Sequence, residues 1–241
     1  MKTNLAIGLL ALSTVAFSSS AFADSITLGS GDIGSTFTLD YNGYSGSGGT
    51  SIGGLTGSTT FTLTGVSGNN YTFDYSVTNT SSDPVTASRI SSFAFNTDPT
   101  ITSATSTGAF SYTTLNSNYP NGIGTVDVCF KDATTGSCSG GGSGGLDIGQ
   151  TGTGSFTLSF SQPVSSLTIS DFYVRYQSIS GVPGVSSASG AGTITSSSSS
   201  GGGTPVPEPG MLTLFALGVI GLYLGRKRLV PLQQVVRPAY A

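Results

Sequence analysis

Apolar and polar residues alternate at every second position through much of this chain, the period of strands with one buried face. Tyr71, Phe73, Tyr75 and Val77 interleave with Thr72, Asp74, Ser76 and Thr78, which predicts the clearest half-buried strand. Phe61 and Leu63 alternate with Thr60, Thr62 and Thr64, and the pattern returns at Phe93 and Phe95, at Val126, Val128 and Phe130, and at Phe156, Leu158 and Phe160. Between Ile169 and Phe172 the apolar phase changes, as a β-bulge or a strand buried on both faces would require. Gly- and Asn-rich stretches at 65–70 and 79–84 read as turns. No long 3.6-residue pattern interrupts the middle of the chain. Many short strands with this punctuation predict an all-β body, an antiparallel β-sandwich of jelly-roll or Ig-like topology. Residues 35–39, 60–63 and 155–158 look alike, but at irregular spacing, so they share strand grammar without forming a repeat.

The two ends follow different rules. Residues 1–23 have the three parts of a secretory signal peptide: Lys2, an apolar helical stretch over 5–17, and the small-x-small cleavage site Ala21-Phe22-Ala23. Mature protein is expected to begin at Asp24. At the other end, residues 196–204 are Ser and Gly closed by Thr204, a spacer without the apolar content to fold. Pro205, Pro207 and Pro209 then stiffen the chain, each fixing its own φ. Residues 211–225 carry no charge, and Arg226, Lys227 and Arg228 stop them. This stretch is short against the roughly twenty residues of a comfortable transmembrane helix, yet long enough for a thin bilayer with its basic end snorkelling. The basic cluster belongs on the cytoplasmic side, and a cleaved signal puts the middle on the other.

Pro207-Glu208-Pro209, the apolar helix and the basic cluster, in that order, resemble the PEP-CTERM sorting signal of bacterial exported proteins. The resemblance implies exosortase, a membrane protease-transpeptidase, as the partner that recognises the signal and removes the helix. It also implies a cell that makes exopolysaccharide, and a route from inner-membrane precursor to cell surface or exterior. Here thirteen residues, 229–241, continue beyond the basic cluster, where such signals usually stop. The expected organisation is therefore a signal peptide at 1–23, a β-sandwich at 24–195, a Ser/Gly/Pro linker at 196–206, the sorting signal at 207–228 and a cytoplasmic tail at 229–241. Residues 25–34, the stretch from Ser88 to Asp98, and the segment Asn118 to Val126 with its Pro120-Asn121-Gly122 turn are similar to the cistern subgroup of PEP-CTERM proteins. In that subgroup a two-Cys segment follows the turn, as Cys129 and Cys138 do here.

Composition fits an exported β protein. Charged residues make up 8 % of the chain, against about 25 % in an average soluble protein. Ser, Thr and 36 Gly fill the gap. Between 24 and 204 stand ten Asp and no Glu against Arg89, Lys131 and Arg175, a net of −7. Such a body repels phosphate backbones and carries no basic stripe, so nucleic acid is not an expected partner. The chain's two cysteines, Cys129 and Cys138, suggest a disulfide in an oxidising compartment.

Parts for catalysis are scarce. The absence of His removes the usual Ser-His-Asp and Cys-His systems and the usual zinc sites. The sole Glu, Glu208, lies in the sorting motif. No catalytic residue, metal site or cofactor is therefore assigned, and the protein is read as a non-enzyme. The Gly-rich stretch 140–149 looks like a calcium nonapeptide with its Asp one place late, or like a phosphate loop without its Lys; a mobile loop is the simpler reading. Asp32, Asp98 or Asp147 could ligate a calcium ion in a loop, though Asp in turns commonly caps its own backbone. The function expected is that of a structural envelope or extracellular-matrix protein associated with exopolysaccharide. A second reading is a carbohydrate-binding module stacking sugars on Tyr41, Tyr44, Tyr112, Tyr119, Tyr173 or Tyr176, residues that could equally pack at the rim of the core. A third is a hydrolase using an Asp pair.

Overall fold

The computed structural model describes residues 24–46, 50–134, 137–138, 140–141 and 143–198. The signal helix, its Ala21 and Ala23 cleavage site and the whole sorting signal with its transmembrane helix lie outside them. Within them the alternating runs become strands: β1 (Ser25–Gly29), β2 (Thr36–Tyr44), β3 (Ser51–Ser67), β4 (Asn70–Asn79), β5 (Ala87–Asp98), β6 (Ser103–Ser106), β7 (Tyr112–Tyr119), β8 (Gly124–Lys131), β9 (Leu146–Asp147), β10 (Thr151–Ser159), β11 (Ser166–Ser180) and β12 (Ser187–Ser198). β4 buries Tyr71, Phe73, Tyr75 and Val77 and turns Thr72, Asp74, Ser76 and Thr78 the other way, as its period requires. β12 reaches Ser198, so Ser196, Ser197 and Ser198, placed in the spacer by composition, pair with β2.

The body is all-β, but it departs from two separate sheets. Its strands run β6-β10-β4-β3-β2-β12-β11-β5-β8-β7 in one hydrogen-bonded sheet, with β1 added to β11 and β9 to β5. The cause is β12, which pairs antiparallel with β2 on one side and with β11 on the other and so joins the two halves. At the far ends β7 comes back to β6, where Thr113 Oγ1 donates to the Ala104 carbonyl at 3.2 Å. The sheet is thus nearly closed, which protects most of its edges.

Phenylalanines fill the space between the facing halves. Phe61 on β3 lies 5.7 Å from Phe93 on β5, 6.1 Å from Phe172 on β11 and 5.8 Å from Phe156 on β10, ring centre to ring centre. Phe93 meets Phe130 at 4.9 Å. The phase change in β11 is a bulge: its register with β5 shifts between Ser170 and Tyr173, Asp171 takes φ 56°, and both Ile169 and Phe172 end up buried.

A smaller apolar cluster sits on the outside of the β11-β5-β8 half. There Ala94, Tyr119, Val126, Cys129 and Cys138 are buried, with Ile123 and Tyr173 packed against them. Because phenols are enclosed in both clusters, alkali should unfold the protein. Burial pushes the Tyr41, Tyr119 and Tyr176 hydroxyls above their ordinary value, and burial, with help from Asp171 and Tyr44, pushes Tyr173 up to about 12. The folded state therefore holds protons that the unfolded chain releases near pH 10. Stability from these groups is present below that pH and is lost as pH rises past it. Melting midpoints are expected to fall above about pH 10, with the absorbance of the buried phenolates appearing together with unfolding. Ionisation of Tyr41, Tyr119 and Tyr176 in a fully folded protein would contradict the burial.

Candidate functional site

Three cations serve the body between 24 and 204, and all three are buried: Arg89, Lys131 and Arg175 are 7 %, 2 % and 8 % exposed. Their rarity in the sequence was the signal, yet nothing in it said that they would be used to hold loops. Arg89 Nη2 donates to the Gly141 carbonyl at 2.6 Å and to Gln177 Oε1 at 2.6 Å, Nε donates to Ser178 Oγ, and Nη1 reaches the Gly144 carbonyl and Asp132 Oδ2. Asp132 Oδ1 in turn accepts from the Gly141 N–H at 2.8 Å. The described part of the Gly-rich stretch, read as mobile, is thus pinned at both carbonyls, and β9 within it pairs with Arg89 and Ile90 of β5. A Cβ on Gly145 would lie 2.5 Å from the Ile90 carbonyl oxygen, so the glycine there permits close approach to β5. Lys131 Nζ donates to Thr114 Oγ1 at 2.6 Å.

Cys129 and Cys138 come within disulfide reach, their Cα atoms 5.8 Å apart and both side chains fully buried. Ser92 Oγ donates to the Cys138 carbonyl at 2.6 Å and fixes that end of the segment. Closing a loop of this size is expected to stabilise the fold by roughly 2–3 kcal/mol. Changing both cysteines to serine should lower stability by that amount in denaturant unfolding, and mass spectrometry of the exported protein should find no free thiol. Two free thiols in folded, exported protein would contradict the bridge.

The Asp residues singled out for calcium do not come together. Asp32 lies in a 3-10 turn, where its carboxylate accepts from the Gly29 N–H at 2.8 Å; Asp98 ends β5; Asp147 lies on β9. Among the described residues no three His, Cys, Asp or Glu side chains gather as ligands for a metal.

The tyrosines divide. Tyr41 and Tyr176 are core residues at 2 % and 0 % exposure, Tyr119 is buried in the outer cluster, and Tyr112 is exposed on β7. Tyr44 and Tyr173 are half-buried and share one place. Residues opposite one another across neighbouring strands share a face. One rung sets Arg175 of β11, Ser189 of β12 and Tyr44 of β2 side by side; the next sets Tyr173, Ala191 and Asn42. Between the two tyrosines lie Ser189, fully buried, and the exposed Ala191; the tyrosines stand two strand spacings and one rung apart, about 12 Å at the backbone. Tyr173 is backed by Tyr119, ring centres 5.7 Å apart. The Pro120-Asn121-Gly122 turn covers Ser189 and Arg175, and with the Asn121 amide turned so that its oxygen faces these donors, that oxygen accepts from Arg175 Nη1 at 3.0 Å and from the Ser189 N–H at 2.8 Å. What this face leaves open is a small patch of Ala191 and Asn42 edged by the half-buried Tyr44 and Tyr173.

An all-β exported body followed by a sorting segment is the class of protein that these features define. Residues 205–228 match the PEP-CTERM protein-sorting motif, which contains Pro207, Glu208, Pro209 and the Arg226-Lys227-Arg228 cluster. No curated protein and no solved structure matches the chain. The motif implies an exosortase-targeted exported protein, with exosortase as its sorting partner and a membrane on its route. The match stops short of the body and gives no support to the cistern subgroup in particular. Among the described residues no helix is long and apolar enough to cross a membrane; residues 211–225 are not among them.

Proposed function

We propose that this is a non-enzymatic protein of the cell envelope or extracellular matrix, delivered by exosortase and associated there with exopolysaccharide. The observation that carries it is the sorting motif at 205–228, preceded by a Ser/Gly spacer. In this reading the secretory signal is cleaved after Ala23, the body folds beyond the inner membrane, and residues 211–225 hold the precursor until exosortase acts at the Pro-Glu-Pro motif. A durable matrix component suits the body, with its nearly closed sheet, its aromatic core and its outward ladders of hydroxyls, such as Thr36 with Thr62 at 3.0 Å and Thr38 with Thr60 at 2.9 Å. Changing Pro207, Glu208 and Pro209 together to alanine is expected to hold the full-length chain in the inner-membrane fraction and abolish the surface or released form. Unchanged release of the triple variant would overturn the sorting step.

A second reading, a carbohydrate-binding module, is favoured by the half-buried Tyr44 and Tyr173 beside the exposed Ala191 and Asn42, which offer a saccharide aromatic and polar edges.

A further inference from the structure

Where β6 pairs with the end of β10, the connection from β5 to β6 and the connection from β10 to β11 border a cleft of about 340 Å³. Ordinary small-ligand sites run from about 300 to 1,000 Å³. Pro99, Phe160, Pro163 and Val164 give the cleft its apolar surface. Thr100, Ser161, Gln162, Ser165 and Ser166 give it its polar surface, and no charged side chain among the described residues lines it. The walls are held from behind. The Phe160 N–H donates to the Asn69 carbonyl at 2.9 Å, and Tyr71 Oη donates to the Val164 carbonyl at 3.0 Å. The Thr102 N–H donates to the Ser159 carbonyl at 2.8 Å and ties one connection to the other.

The polar side chains of the cleft differ from those of the sheet faces. On the faces, hydroxyls bond one another across strands, as Thr72 with Thr157 at 3.1 Å and Thr78 with Thr151 at 2.8 Å. Around the cleft, Thr100, Ser161, Gln162, Ser165 and Ser166 are exposed, and their donors and acceptors are left for water or a ligand. From this geometry we propose that the cleft binds a short neutral saccharide. Its hydroxyls bond Thr100, Ser161, Gln162 and Ser165, and its C–H face lies against Pro99, Phe160 and Pro163. The inference goes beyond the carbohydrate-binding reading, because it concerns another place. Tyr173 stands seven residues along β11 from Ser166, roughly 20 Å away.

The lining selects the class of ligand. Each hydroxyl both donates and accepts, so Ser and Thr match a ligand whose own groups do both, as a sugar's hydroxyls do. An anion finds no partner here. Arg89, Lys131 and Arg175 are buried elsewhere, and the exposed charge next to Pro99 is that of Asp98. A charge moved out of water without a partner costs far more than a hydroxyl. Because Asn69, Tyr71 and Thr102 already fix the backbone, binding has side chains to order and few loop residues, which keeps its entropic cost low.

The test is an NMR titration of the isotope-labelled exported protein with glucose, cellobiose and maltose, and with glucuronate as the charged counterpart of glucose. At least one neutral sugar should shift the amide resonances of Thr100, Ser161, Gln162 and Ser165 saturably, and glucuronate should bind there more weakly than glucose. Changing Ser161, Gln162 and Ser165 together to alanine should weaken the binding at least about tenfold, since three neutral hydrogen bonds are lost. Shifts confined to Asn42, Tyr173 and Ala191 would overturn the cleft and leave the carbohydrate-binding reading standing. Tighter binding of glucuronate, or undiminished binding by the alanine variant, would also overturn the inference. No shift with any of the four sugars would remove both sites. Should the alanine variant not fold, the location of the shifts on the unaltered protein still decides.

Discussion

Replacing Phe61 with alanine will destabilise the body by about 3–5 kcal/mol, the range for removing a fully buried phenylalanine. Phe61 is 1 % exposed and its ring touches both halves of the sheet: Phe37 at 5.3 Å and Phe156 at 5.8 Å on its own side, Phe93, Phe95 and Phe172 at 5.7, 6.2 and 6.1 Å across the core. No neighbouring ring can fill the hole without leaving its own contacts, so the site should collapse poorly and the cost should sit high in that range. Domains of this size are stable by about 5–15 kcal/mol in total, so the variant should melt far below the parent. Urea unfolding measures the loss, and Tyr112→Ala, at a side chain 42 % exposed, is the control, expected within about 0.5 kcal/mol of the parent. A loss at Phe61 no larger than the control's would mean that the two halves do not pack through it.

Arg89→Met is expected to cost a similar amount, about 3–5 kcal/mol, for an electrostatic reason. The substitution leaves the Asp132 carboxylate, 3 % exposed, without its cation, and takes donors away from the Gly141 and Gly144 carbonyls. The double variant Arg89→Met with Asp132→Leu should recover much of the loss, because the stranded charge goes with its partner. A double-mutant cycle reads the coupling directly. If Asp132→Leu failed to rescue any stability, the buried pair would not be what holds the stretch that follows β8.

Much of this fold was legible in the residues, and the parts that were not have physical causes. Wherever one face is aromatic and the other hydroxylic, as in β4 and β10, alternation located the strand. The bulge in β11 was visible because Ile169 and Phe172 break the period. The first half of β3 and all of β12 were not, since small residues, Gly57 on β3 and Ala188, Gly190 and Gly192 on β12, take several of their inward positions. Those small residues are there because tyrosines lie on them: a Cβ at Gly57 would sit 2.7 Å from the Tyr176 hydroxyl, and one at Gly192 2.7 Å from the Tyr41 ring. Missing β12 also meant missing the joint between the halves, and hence the difference between two sheets and one. β5 hides its outer face under loops, so Ser88, Ser91 and Ser92 are buried although no pattern marks them.

The candidate site was half-legible in the same way. Tyr41 continues the inward phase of Phe37 and Leu39, and Tyr176 that of Phe172 and Val174, so their burial follows from the period. Tyr173, in the opposite phase, had to face out. That Tyr44 would meet it required knowing that β12 lies between β2 and β11, which is long-range information. Arg175's neutral surroundings were equally invisible, because they depend on where the Pro120-Asn121-Gly122 turn lands.

The claim on which the functional account stands is that the C-terminal motif is read and the segment behind it removed on the way out of the cell. Intact-mass spectrometry of the protein recovered from the cell surface or medium tests this most directly. The account predicts a chain that begins at Asp24 and ends before Met211, without Arg226, Lys227 and Arg228. An exported chain of full length through Ala241, in cells that possess exosortase, would contradict it.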